Sequence, residues 1–332
     1  MPRRTSDSTL GHGLQLRVVV AQAARGRIAA AGPMVKAMSV TTADERARQI
    51  MHSGDRAAWS TAALVLALSD RGPEDQRRAA VMVLRALGLD VEEGLSELDR
   101  RGTAAQAAAP LLQTAALVAG DGQLWAGQSD EALLAQGRAS AQGAAAFLQF
   151  GLPMLSGLAE ALARPGARML DVGTGVAALA VAYAELFPAL TVVALDVLPR
   201  VLALAAGTVA ASSVAERVIL REQDVSTLDE HATYALAWLP APFLPESALR
   251  AGAPRVAGAL VPGGWVMVGH GKFTNEPVED ALTRFKTVAY GGTALDDDQA
   301  QSLLRNAGLM DVATMPTPAG APAITVGRKP PT

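Results

Sequence analysis

The chain has 332 residues, half of them hydrophobic but only 4 % aromatic, with a formal net charge of −3 and no cysteine. A length of this order predicts two domains with ample sequence for a core. The absence of a basic excess argues against a nucleic-acid partner, and the absence of cysteine excludes disulfides, thiolate metal sites and thiol catalysis. No apolar run reaches the roughly 18 residues of a membrane span. The nearest, Ala104 to Ala119, is broken by Gln106, Pro110 and Gln113. A soluble, cytoplasmic protein without a membrane partner or metal site is expected.

Residues 1–38 carry Arg3, Arg4, Arg17, Arg25, Arg27 and Lys36 against a single acid, Asp7. Leu14 to Ala31 has the pattern of an amphipathic helix, and such an arginine-rich start has the composition of a transit peptide. A disordered basic extension, or a start upstream of Met34 or Met38, is the preferred reading. From 39 to 150 the pattern is helical. Ala57–Leu68, Glu74–Leu87, Val91–Arg100, Ala104–Val118, Ser129–Gln142 and Ala144–Leu162 carry apolar residues at three- and four-residue spacing. Gly72-Pro73, Gly88 and Gly120-Asp121-Gly122 punctuate them. This segment is expected to be a lid over the second domain or a homodimer interface, with a plain packing domain that makes no substrate contact as an equal alternative.

At Arg168–Pro199 the periodicity changes. An apolar run, Met169 to Val172, leads through Gly173-Thr174-Gly175 into an alanine-rich helix ending near Phe187. A second run, Thr191 to Leu195, is closed by Asp196. This is a β-α-β unit. Glycines at the strand-to-helix turn supply backbone freedom and let a ligand lie on the chain beside the positive end of the helix dipole. Asp196, 21 residues beyond Gly175, is placed to accept hydrogen bonds from a ribose diol.

Two cofactor classes compete for such a unit. Gly173-x-Gly175-x-x-Ala178 satisfies the dinucleotide fingerprint, but Asp171 precedes the turn, where a pyrophosphate would meet a second negative charge. S-adenosylmethionine brings a cationic sulfonium and an amino group, which an acid favours. The run Leu170-Asp171-Val172-Gly173-Thr174-Gly175 resembles the first motif of class I S-adenosylmethionine-dependent methyltransferases, with Ala177 where that family often has a third glycine. The resemblance implies an α/β fold: a Rossmann-like, doubly wound, seven-stranded sheet with an antiparallel C-terminal hairpin, occupying 151–332 behind the all-α segment.

It also implies roles. Gly173, Thr174 and Gly175 would receive the methionine part of the cofactor and Asp171 its cationic end. Asp196 would hold the ribose, with Val197 against the adenine. Asp224 would meet the adenine amino group, with Val225 packed on the ring. The expected fourth strand, Tyr234–Leu239, opens into Pro240-Ala241-Pro242-Phe243, so Trp238 and Phe243 are candidate acceptor-binding residues. Base-modifying relatives carry a polar residue, two prolines and an aromatic here. Leu239-Pro240-Ala241-Pro242 lacks the polar head, which leaves a small acceptor, with O-methylation favoured.

Ala248–Leu260, Val261-Pro262-Gly263-Gly264 and Trp265–Val268 match the family's helix, turn and fifth strand, with His270 at the strand's end as the candidate base. A helix from Asp296 to Asn306 and strands Asp311–Met315 and Ala323–Gly327 complete the sheet. Direct in-line methyl transfer is the expected reaction. The alternatives are a protein of this fold that binds the cofactor without methyl transfer and, more distantly, a nicotinamide-dependent oxidoreductase, for which no Tyr-x-x-x-Lys pair is present.

Overall fold

The computed structural model describes residues 32–69, 72–91, 97–120, 125–317 and 321–331, with backbone only for 32–42 and 97–99. Contacts divide the chain into two units, 1–60 and 61–332. In the first, the described residues form one helix, which belongs to α1 (Gly32–Leu68). The basic segment 1–31, including the expected Leu14–Ala31 helix, lies outside the described residues, whereas 32–38 are helical.

In the second unit the helical part comprises α2 (Glu74–Ala86), α3 (Glu97–Ala119), α4 (Asp130–Ala146) and the short α5 (Leu158–Ala163). Ala63, Leu68, Ala80, Leu84, Val91 and Ala104 form a small core among them. α4 starts where Ser129 accepts the Ala132 N–H at 3.2 Å, with Asp130 and Glu131 in its first turn. The single helix expected over Ala144–Leu162 is instead broken. The end of α4 widens into a π-turn at Phe147–Gly151, tightens into a 3₁₀ turn at Leu152–Met154, and restarts after Gly157 at φ 75°. Pro153 and the left-handed glycine explain the interruption. Among the described residues no helix is long and apolar enough to cross a membrane.

The remaining elements are β1 (Arg168–Val172), α6 (Ala178–Leu186), β2 (Thr191–Asp196), α7 (Pro199–Ala210), β3 (Val218–Glu222) and β4 (Tyr234–Pro240). After these come α8 (Glu246–Ala259), β5 (Leu260–His270), α9 (Pro277–Ala289), α10 (Asp297–Asn306), β6 (Met310–Met315) and β7 (Ala323–Arg328). They build one seven-stranded sheet, order β3-β2-β1-β4-β5-β7-β6, in which β7 runs antiparallel to both β5 and β6. The expected fold is therefore observed. β1, β2, β4 and β5 are apolar without alternation because helices cover both faces. Met169, Val192, Ala194 and Leu236 pack on one side with Ala180, Tyr183 and Leu162. Leu170, Val193, Leu195 and Leu239 pack on the other with Leu249, Val256 and Leu304.

α9 has no counterpart in the sequence analysis. Pro277 opens it, and Asp280 accepts the Thr274 N–H at 2.8 Å just upstream. α10 begins at a capping box: Asp296 accepts the Gln299 N–H at 2.8 Å, and Gln299 accepts the Asp296 N–H at 3.0 Å. Parallel pairing of β1 with β2 and β4, and of β2 with β3, brings Val172, Asp196, Glu222 and Pro240 to one edge of the sheet. Between β1 and β4 the order of winding reverses, which is where open α/β sheets leave a crevice at their carboxyl ends.

Candidate cofactor cleft

A cleft of about 310 Å³ lies at that edge. Its floor is the turn from β1 into α6. Gly173 and Gly175 adopt φ 63° and 59°, values that side-chain-bearing residues rarely take. A Cβ at Gly175 would meet nothing within 4 Å, so the backbone there faces open space. The Thr174 N–H donates to the Leu195 carbonyl at 2.8 Å, tying the turn to β2. Ala177 also lies in the left-handed region, at φ 59°. A conformation natural to glycine thus carries a strain of about 1 kcal/mol in an alanine, which accounts for the family's frequent glycine at this place.

Asp196 closes the turn from the side. Its Oδ2 accepts the Gly175 N–H at 2.9 Å and its Oδ1 the Leu198 N–H at 3.0 Å. It lines the cleft, and burial raises its pKa while the backbone donors pull it back. Val197, 54 % exposed, lines the cleft beside it. Asp224 accepts the Ser226 N–H at 2.8 Å as cap of a short 3₁₀ turn, and with Val225 forms the next part of the wall. Sequence positions far apart in β1, β2 and β3 are thus gathered around one opening.

Asp171 is placed differently. It is 1 % exposed and is not among the residues lining the cleft. It sits behind the turn, where Thr174 Oγ1 donates to its Oδ2 at 2.6 Å. Burial pushes its pKa up to about 7, against the Thr174 hydrogen bond and with help from the Asp196 charge. Thr174, itself a cleft residue, is the side chain that joins Asp171 to the opening.

The two acceptor-site candidates separate. Phe243, in the 3₁₀ turn after β4, lines the cleft; Trp238 does not. β-strand alternation puts Trp238 on the same face as Leu236, where its ring covers Gly269 so closely that a Cβ there would stand 2.5 Å from it. His270 is likewise outside the cleft lining. It is fully buried, with Nε2 2.8 Å from Thr325 Oγ1 and Nδ1 3.1 Å from the Gly271 carbonyl. The cause is the sheet order. β7 pairs with β5 up to His270↔Ala323 and so covers the end that carries the imidazole. Burial lowers its pKa and keeps it uncharged.

The helical segment supplies what sequence reasoning missed. Trp125, Leu133, Gln136, Gly137 and Ser140 form the wall facing the glycine turn, and Tyr290, after α9, closes one end. The Trp125 and Phe243 ring centroids are 5.1 Å apart, as are those of Phe243 and Tyr290, and Trp125 meets Tyr290 edge-on at 5.8 Å. At Gly137 α4 comes so near the turn leading into α6 that a Cβ would stand 2.2 Å from Val176 Cγ2. Arg200, in the first turn of α7, donates to the Gln128 carbonyl at 2.9 Å and to the Asp130 carboxylate, clamping the Trp125 turn to the sheet domain. Residues of the segment thus contribute to the cleft lining. Among the described residues no cluster of three or more His, Asp or Glu side chains is placed to hold a metal.

Comparison with known proteins bears on the sheet domain. Residues 169–264 match the family model described as "Methyltransferase domain". No curated protein sequence matches the chain. Solved structures extend the likeness to the lid. A structure of PigF with SAH has a TM-score of 0.56 at 19 % identity, covering 86 % of this chain and 99 % of that one. The mitomycin 7-O-methyltransferase MmcR gives 0.54 at 16 %, covering 88 % and 99 %. Human N-acetylserotonin methyltransferase in complex with SAM gives 0.53 at 17 %, covering 88 % and 98 %. At these identities the neighbours speak for the fold alone.

Proposed function

We propose that the protein is an S-adenosylmethionine-dependent methyltransferase acting on a small-molecule acceptor, with oxygen as the favoured nucleophile. The observation that carries this reading is the cleft in which the glycine turn, Asp196 and Asp224 converge opposite an aromatic lid wall. Its chemistry fits the cofactor: bare backbone at Gly175 for the methionine end, a carboxylate for a diol, and an apolar ledge at Val197 and Val225 for a base. Bound there, S-adenosylmethionine supplies a methyl group on a cationic sulfonium, a leaving group already activated by its charge.

Gly173, Thr174 and Gly175 would hold the methionine part, Asp196 the ribose hydroxyls, and Asp224 the adenine amino group. Asp171 would favour the cationic end from behind Thr174. The lid wall of Trp125, Phe243 and Tyr290 would exclude water and press the acceptor toward the turn, so that positioning supplies most of the rate. No role remains for His270 as a base that touches the acceptor. Among the described residues the titratable side chains of the lining are Asp196, Asp224 and Tyr290, which keeps a second reading open, a protein of this fold that binds the cofactor without methyl transfer.

The test is transfer of radiolabelled methyl from S-adenosylmethionine to a panel of phenols, carboxylic acids and amines. Labelled product from the phenols supports the proposal. Cofactor binding with no labelled product on any acceptor supports the second reading. A homodimer through the helical region is part of the proposal, supported by exposed Met82, Val83 and Leu87 on and just after α2. Sedimentation equilibrium at the monomer mass would remove it.

A further inference from the structure

The lid wall contains a polar feature that the cofactor does not need. From Tyr290 a hydrogen-bonded chain of four side chains crosses the helical segment. Tyr290 Oη donates to Gln113 Oε1 at 2.7 Å, Gln113 Nε2 donates to Gln136 Oε1 at 2.7 Å, and Gln136 Nε2 donates to Ser140 Oγ at 3.1 Å. Gln113, on α3, is 5 % exposed, so its amide is satisfied only by these two partners. Tyr290, Gln136 and Ser140 line the cleft, while Gln113 does not.

The chain has a direction. Each amide accepts at its oxygen and donates from its nitrogen, so the four groups are polarised in one sense. The Tyr290 proton is committed to Gln113, which leaves the phenol oxygen lone pairs and no proton to offer a ligand. Its neighbours in the wall are the rings of Phe243 and Trp125, and burial raises its pKa, so it stays a neutral phenol rather than a base. A hydrogen-bond acceptor set in an apolar aromatic wall discriminates strongly, because a ligand that cannot donate leaves a desolvated oxygen unpaired.

We propose that Tyr290 is the acceptor-positioning residue: held through Gln113 and Gln136 to Ser140, it takes the hydrogen bond of a hydroxyl group carried on a planar apolar ring that lies against Phe243 and Trp125. Gln113 acts at one remove by fixing which way the phenol points. This rests on the methyltransferase reading above and adds to it the chemical class of the acceptor and the residue that selects it.

The test compares binding of 2-naphthol and 2-methoxynaphthalene to the full chain in the presence of S-adenosylhomocysteine, for the wild type, Tyr290→Phe and Gln113→Leu. The wild type should prefer 2-naphthol about tenfold, as expected of one buried hydrogen bond. Tyr290→Phe, which keeps the ring in the wall, should bring the preference close to one without changing affinity for S-adenosylhomocysteine. Gln113→Leu should reduce it in part, again at constant affinity for S-adenosylhomocysteine. Equal binding of the two naphthalenes by the wild type, a preference that survives in Tyr290→Phe, or no binding of either up to their solubility would overturn the assignment. Failure to bind S-adenosylhomocysteine would sink the cofactor reading instead, and the naphthol ratio would still decide the role of Tyr290.

Discussion

Asp171 offers a prediction that can be worked through to a magnitude. Its carboxyl is 1 % exposed, accepts one hydrogen bond from Thr174, and has a pKa raised from 3.8 to about 7. In the unfolded chain the group ionises near its ordinary value, so between about pH 4 and pH 7 the folded protein holds a proton that the unfolded chain has released. Stability must then fall as pH rises through that window and level off above it. A separation of about three pH units at about 1.4 kcal/mol each puts the full cost at about 4 kcal/mol. Asp171→Asn keeps the shape and an oxygen for Thr174 but has no proton to lose. Urea unfolding of both proteins without ligand, from pH 4.5 to 8.5, isolates the effect, because every other titrating group is common to the pair. The wild type has already given up about 1 kcal/mol of that cost at pH 4.5, so between pH 4.5 and pH 7.5 the asparagine variant should gain on it by about 3 kcal/mol and then level off. A difference that does not change with pH, or one that favours the wild type as pH rises, would refute the placement of a buried, protonatable carboxyl behind the turn.

Three further outcomes follow from the same geometry. Asp196→Ala removes the acceptor of the Gly175 and Leu198 N–H groups at the cleft and should weaken S-adenosylhomocysteine binding at least a hundredfold by calorimetry while the circular dichroism spectrum is retained. Gly137→Val places a side chain where Val176 Cγ2 stands 2.2 Å from the first carbon, and should lower the unfolding free energy by about 2 kcal/mol or more in urea titration. His270→Gln should leave the turnover of any labelled acceptor within about threefold, because the imidazole is buried against Thr325 and Gly271 outside the cleft lining; a drop of a hundredfold or more would restore it as a base.

The glycine-turn half of the candidate site was legible because its signal is local. Strand, glycine turn, helix, strand and acid fall within 30 residues, and each step has a chain-level reason, so Gly173, Gly175 and Asp196 could be placed from spacing alone. Asp224 was legible through resemblance, as the acid closing the third strand. The lid half was not. Trp125, Gln136, Ser140 and Tyr290 reach the cleft from α4, from the turn before it, and from the end of α9, more than a hundred residues apart in the chain. A glutamine inside an alanine-rich helix looks like any surface position until its partner on another helix is known.

His270 and Trp238 show the opposite failure. Their local context, the carboxyl ends of β5 and β4, pointed toward the site, but pairing with β7 and the pleat of β4 turned them away. These are properties of the sheet rather than of the segment. α9 was readable in principle, with Val278, Leu282, Phe285 and Val288 at helical spacing, although each of these side chains is exposed in the single chain.

The most direct test of the central claim is calorimetric titration of the purified full-length chain with S-adenosylmethionine, S-adenosylhomocysteine and NAD in parallel. The account predicts micromolar binding of both sulfur nucleosides at one site per chain, lost in Asp196→Ala, and no binding of NAD. Binding of NAD with neither sulfur nucleoside would contradict it, and the glycine turn and Asp196 would have to be reassigned to a dinucleotide.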